Sequence, residues 1–89
     1  MAHYVGVFVP LATGEWRALL PDVPSYHIEE RSLDLAIART TGFLDQAIRL
    51  GSPIPQPRPL AFIKLDTDWA SAKEVDWSES VVTMIPVRE

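Results

Sequence analysis

Apolar residues alternate along His3–Val9. Val5, Val7 and Val9 fall on one side of an extended chain and Tyr4, Gly6 and Phe8 on the other. Both sides are apolar, which predicts a central strand covered on both faces. Ala12-Thr13-Gly14 is a turn signal, and Glu15–Leu20 alternates again, with Trp16, Ala18 and Leu20 opposite Glu15, Arg17 and Leu19. So short a connection predicts an antiparallel hairpin. Pro21, Asp22 and Pro24 then form a corner. The prolines stop the strand and hold the chain extended, and Asp22 is placed to bond nearby backbone N–H groups as in an Asx turn. Tyr26–Glu30 reads as a third strand with Tyr26 and Ile28 inward and His27 and Glu29 outward; its charges suit a sheet edge.

The period then changes. Leu33, Ala36, Ile37, Thr40, Leu44, Ala47 and Ile48 recur at helical spacing, while Asp34, Arg39, Asp45, Gln46 and Arg49 lie off that stripe. Ser32 is the expected N-cap, and Asp34 sits in the first turn, where the helix dipole favours a carboxylate. Asp45 and Arg49 are spaced to pair. Gly51 and Pro53 end the helix. Gly42, in mid-helix, is expected to let another backbone approach closely. Four of the eight prolines fall in Ser52–Pro59, a rigid connector. A short helix from Pro59 through Leu65, a further turn or two over Asp68–Val75, and a last strand over Ser80–Val87 complete the reading.

The order is β-β-β-α-(short helices)-β in a single α+β domain over residues 1–89. The expected sheet order is 3-2-1-4, with the long helix on one face. A crossover by that helix would set the last strand parallel to the first, giving a mixed sheet with a right-handed connection.

Composition narrows the function classes. A net charge of -4 argues against direct nucleic-acid binding, which needs clustered Lys and Arg, and suits a basic protein partner. With no cysteine there is neither a disulfide framework nor a thiolate metal site. No apolar run approaches the ~18 residues of a membrane span, and the N-terminus lacks a basic region and apolar stretch. A cytoplasmic protein follows.

Candidate chemistry is sparse. Two-metal hydrolysis needs converging carboxylates, yet the first fourteen residues contain neither Asp nor Glu. His3 and His27, the only histidines, lie on different strands, and there is no glycine-rich phosphate loop. No catalytic residue, metal or cofactor is expected. The acids concentrate instead between Leu60 and Ser80, where Asp66, Asp68, Glu74, Asp76 and Glu79 face only Lys64 and Lys73. Trp69 and Trp77 lie among them as candidate interface anchors. Glu29 and Glu30 form a smaller acidic group on the third strand. These nine residues other than the two lysines are the expected partner-binding set. The third strand can also pair with its counterpart in another copy, which predicts a homo-oligomer.

Four segments carry a family resemblance. Gly14-Glu15-Trp16-Arg17-Ala18-Leu19-Leu20-Pro21-Asp22-Val23-Pro24 resembles the second strand and proline corner of HicB-like antitoxins. Leu33-Asp34-Leu35-Ala36-Ile37-Ala38-Arg39 resembles the start of their long helix, Pro53-Ile54-Pro55-Gln56-Pro57-Arg58 the proline-rich segment after it, and Val81-Val82-Thr83-Met84-Ile85-Pro86-Val87 their closing strand. The resemblance implies a partial ribonuclease H-like sheet and a protein that silences a small basic RNA-cleaving toxin of the HicA-like kind. Many relatives add a DNA-binding domain; the chain ends at Glu89 straight after the closing strand, so no DNA binding by this chain is expected. The chain departs from the family pattern at Ser25-Tyr26, where Gly-Cys is usual, and at Glu29-Glu30-Arg31, which lacks a common glycine. Those departures favour the alternative of a stand-alone protein-interaction or small-ligand-binding module without a toxin.

Overall fold

The computed structural model describes residues 2–23, 25–66 and 75–87. Strands β1 (Ala2–Pro10), β2 (Trp16–Leu19), β3 (His27–Glu30) and β4 (Val81–Val87) form one sheet in the order β3-β2-β1-β4. Helix α1 (Leu33–Arg49) and the short helix α2 (Leu60–Leu65) complete the described elements. The expected strand order and single long helix are therefore present. The turn between β1 and β2 closes with Leu11 N–H donating to the Glu15 carbonyl (2.8 Å) and Gly14 N–H to that of Leu11 (3.0 Å). Gly14 has φ +90°, a conformation that costs other residues a Cβ clash.

One expectation is overturned. β4 runs antiparallel to β1, from Phe8 opposite Val81 to Ala2 opposite Val87, so the sheet is wholly antiparallel and not mixed. The reason lies in the chain path after α1. That helix returns the chain to the end of the sheet where β1 starts, and there the Tyr4 hydroxyl donates to the Pro55 carbonyl (2.6 Å). A strand begun at that point would have run parallel to β1. Instead α2 takes the chain onto the opposite face, and β4 enters beside the far end of β1. The right-handed crossover rule, which governs parallel pairs, does not apply.

Each face of the sheet has its own core. Tyr4, Phe8, Ala18, Leu20, Ile85 and Val87 pack against Ala36 and Leu44 of α1. Val5, Val7 and Leu19, on the other face, pack against Ile63 of α2, with Leu60, Val75, Trp77 and Val82 around them. The two-sided apolar pattern of β1 is explained by this double cover. Gly6 sits in the α1-side core, where an added Cβ would lie 2.8 Å from Ile85 Cδ1 and 3.0 Å from Phe8 Cε2.

Helix α1 begins and ends as its sequence predicts. Ser32 accepts from Leu35 N–H (3.2 Å), and Ala36, Thr40, Leu44 and Ala47 are buried. At its end Gly51 takes φ +67°. Gly51 N–H then donates to the Ile48 carbonyl and Ser52 N–H to that of Ala47, the two bonds of a Schellman cap. Thr40, fully buried, shares a hydrogen bond with the Tyr26 hydroxyl (2.9 Å). Burial raises the Tyr26 phenol above its ordinary value, so the group is neutral. Gly42 departs from expectation: among the described residues nothing beyond its own helix turn and chain neighbours lies within 4 Å of a Cβ built there, so no other described backbone approaches it.

Candidate binding surface

The proline corner is tied to a distant residue. Asp22 is buried, 7% exposed. One of its carboxylate oxygens accepts from the Arg58 backbone N–H (2.7 Å) and the other from Arg58 Nε. The expected local Asx turn is replaced by this long-range pair, because a buried carboxylate needs a cationic, multi-donor partner. The corner itself turns through backbone bonds from Val23 N–H to Leu20 and from Tyr26 N–H to Val23, both 2.9 Å. Pro21 is buried; Pro24 lies outside the described residues. Arg58 also reaches Asp66 at the end of α2 (Nη1 to Oδ2, 2.8 Å), and together the two acids hold its guanidinium charged. The set Asp22–Arg58–Asp66 thus pins the place where the chain passes from the α1 face to the α2 face.

The acids of β3 are engaged within the fold. Glu29 pairs with Arg17 of β2 (2.7 Å) and lies 3.9 Å from His27 Nε2. Glu30 pairs with Arg39 of α1, whose hydrogen bond holds its carboxyl below the usual glutamate range. These two residues link strand to strand and strand to helix, so β3 presents little unbalanced negative charge.

On the α2 side the acids divide. Asp66 belongs to the Arg58 set. Asp76 accepts from Ser78 N–H (3.0 Å) and Ser78 Oγ (2.6 Å), forming the turn before β4; those two bonds lower its carboxyl's pKa. Glu79 is exposed. Trp77 is half-buried against the α2-side core, with Lys64 Nζ 5.5 Å from its ring centroid, a cation–π contact. Asp68, Trp69 and Glu74, and most of the expected turn over Asp68–Val75, lie outside the described residues.

Three further residues mark this side and escaped the sequence reading. Phe62 is 63% exposed, Leu65 80% and Met84 46%. Met84 stands opposite Val5 of the α2-side core, so it projects from the same face of the sheet as α2. A signal existed in α2 itself: five of the six residues in Leu-Ala-Phe-Ile-Lys-Leu are apolar, more than one buried stripe can use. Chemically the α2 side offers exposed apolar side chains, and the turn before β4 offers the exposed carboxylates of Asp76 and Glu79. Among the described residues no group of three His, Asp or Glu side chains is placed to hold a metal ion. His3 and His27 are both exposed and lie on strands separated by β2. No described helix is long and apolar enough to cross a membrane. Compared with family models, curated proteins and solved structures, the chain has no significant match to any of them.

Proposed function

We propose that this chain is an antitoxin-like binding protein that neutralises a small basic RNA-cleaving toxin of the HicA-like kind by covering it, without chemistry of its own, in the cytoplasm. The observation that carries the reading is the exposure of three large apolar side chains on the α2 side of the sheet, Phe62, Leu65 and Met84, with Asp76 and Glu79 exposed in the turn that leads into β4. Exposed aromatic and aliphatic side chains supply contact area, and carboxylates at the rim guide a basic partner into place. The net charge of -4 and the four resembling segments, which occur in the family's order, support the same reading. The pairing of Glu29 and Glu30 with arginines moves the proposed contact from the β3 edge to the α2 side.

A second reading has one specific observation in its favour. The antiparallel β4 departs from the mixed sheet that the sequence predicts for a partial ribonuclease H-like domain. It favours a stand-alone interaction module that uses the same α2-side surface for another partner. Capture of the basic protein encoded beside this chain decides between them. The antitoxin reading expects a complex at micromolar concentration that loosens with salt. Folded protein that captures nothing basic from that locus leaves only the stand-alone module.

A further inference from the structure

The direction of each backbone group in the sheet follows from one bond. Leu11 N–H donates to the Glu15 carbonyl, so Leu11 and Glu15 are a hydrogen-bonded pair. Such pairs recur at every second residue of an antiparallel ladder. Back along the β1–β2 register, Val9 with Arg17 and Val7 with Leu19 are therefore bonded pairs too. The alternate residues of β1, Tyr4, Gly6 and Phe8, turn their backbone groups to β4, where they meet Ile85, Thr83 and Val81. Val82, Met84 and Pro86 point theirs outward, away from β1. Pro86, which has no N–H, thus stands where a strand tolerates proline. Among the described residues the N–H groups of Val82 and Met84 have no partner.

We propose that this edge joins two copies of the chain, β4 against β4 in antiparallel sense, to make one continuous sheet. The two edges of the sheet are unequal. β3 has four residues and carries His27, Glu29 and Glu30, the kind of side chain that discourages pairing. β4 has seven, Val-Val-Thr-Met-Ile-Pro-Val, and no charge. Its usable backbone groups are bounded at both ends. Ser80 N–H is already given to the Asp76 carbonyl (3.0 Å), and Pro86 has no N–H to give. Between them lie the donors and acceptors of Val82 and Met84. One two-fold register satisfies them all: Val82 of each copy pairs with Met84 of the other, and each such pair exchanges both of its bonds. Pro86 then faces Ser80 of the second copy, so the positions without a free donor meet each other. An axis centred on Met84 would instead leave the Val82 carbonyl facing a proline. An axis centred on Val82 would leave the Met84 carbonyl facing the spent N–H of Ser80. The strand thus matches its own reverse, as an isologous contact requires.

The same register sets the side chains. Thr83 lies on the axis opposite Thr83 of the second copy, at the close spacing of a non-hydrogen-bonded pair. Met84, 46% exposed, comes beside the half-buried Val82 of the second copy, which covers apolar surface. No charged side chain lies within the paired strands. A strand pair of this length belongs to the weak class of interfaces, below roughly 1,200 Å², so the dimer is concentration-dependent. The copy-to-copy contact expected at β3 moves to β4. It uses the sheet edge and not α2, so the inference is independent of the proposed partner-binding function.

Sedimentation across a wide concentration range tests the pairing, with expected growth from the 10.0 kDa chain to twice that mass. Amide hydrogen exchange tests the groups that make it. Protection of the Val82 and Met84 amides should rise as the dimer forms, while Thr83 and Ile85, bonded to β1, stay protected throughout. Met84→Pro removes only an outward N–H and is expected to weaken dimerisation about tenfold or more, with the circular-dichroism spectrum kept. Register is read by cysteines, because the natural chain has none. Thr83→Cys sets two Cα atoms about 4.5 Å apart across the axis and is expected to form covalent dimers under oxidation. Met84→Cys sets them about 7–8 Å apart and is expected not to. A wild-type chain that stays monomeric at its highest attainable concentration overturns the inference. So does a dimer in which the Val82 and Met84 amides exchange as freely as in the monomer, a dimer insensitive to Met84→Pro, or cross-linking at position 84 that matches cross-linking at position 83.

Discussion

Asp22 and Arg58, thirty-six positions apart, hold the two faces of the molecule in register: the buried carboxylate takes both the backbone N–H and the Nε of the arginine. The pair is asymmetric. Asp22 is buried, whereas the Arg58 side chain is 37% exposed and also engages Asp66. Arg58→Ala leaves a buried carboxylate without its cation and is expected to cost about 3 kcal/mol. Asp22→Asn leaves a half-exposed guanidinium that keeps Asp66, and is expected to cost about 1.5–2 kcal/mol. Urea unfolding of both variants measures the order. Equal losses, or a larger loss for Asp22→Asn, contradict the asymmetry.

Gly6 is expected to resist substitution for a packing reason. Gly6→Ala brings a methyl to 2.8 Å from Ile85 Cδ1 in a filled core. Overpacking of this kind costs about 1–3 kcal/mol. Ile85→Val deletes the obstructing methyl and alone costs about 0.5–1.5 kcal/mol. The double variant should be distinctly more stable than the sum of the single losses implies. Strict additivity in chemical denaturation would show that the strain lies elsewhere.

Acid should weaken the link between β3 and α1. Glu30 has its folded-state pKa lowered, first by the hydrogen bond from Arg39, from an ordinary value of 4.5. Its stabilising contribution is therefore complete above about pH 4.5 and disappears as pH falls through the lowered value. Asp76, lowered from 3.8 by its Ser78 bonds, adds loss further into acid. Thermal melts from neutral to acid pH should show a falling Tm in that window, with a shallower slope in Glu30→Gln. An unchanged slope in that variant would remove Glu30 from the account.

The apolar group on the α2 side should matter for binding and little for folding. Phe62→Gln and Leu65→Gln alter side chains that are mostly in water, so each should change stability by no more than about 0.5 kcal/mol. Together they should weaken partner binding by about tenfold or more. Glu79→Lys, an exposed position in the turn before β4, should act chiefly on the association rate, and less in high salt. Calorimetry and stopped-flow binding separate these effects. Full affinity in the Phe62/Leu65 double variant would move the docking surface away from α2.

Much of the fold could be read from the chain because its determinants are local. Ser32 capping Leu35, the Ala36–Thr40–Leu44–Ala47 stripe, Gly51 at positive φ and the alternation of β1 each act over a few residues. The direction of β4 could not, because it depends on where the chain crosses between faces, and that crossing is fixed by Asp22 and Arg58 across thirty-six positions. Asp22 beside two prolines carries the local signature of a turn residue, and nothing nearby in sequence points to a distant arginine. The candidate surface was legible only in part. Acidic residues stand out in a sequence, but Glu29, Glu30 and Asp66 prove to be paired within the fold. Phe62, Leu65 and Met84 are apolar side chains in regular elements, and sequence alone assigns such residues to a core.

The central proposal is that the chain silences a ribonuclease by covering it. RNA cleavage by the basic protein encoded beside it, followed as this chain is titrated in, tests that most directly. Cleavage should fall in proportion to added chain and reach zero at an equivalence point. Full activity should return once the complex is dissociated and the two proteins are separated, because nothing covalent has changed. Cleavage that continues undiminished in the presence of excess folded chain, or RNA cut by this chain alone, would contradict the account.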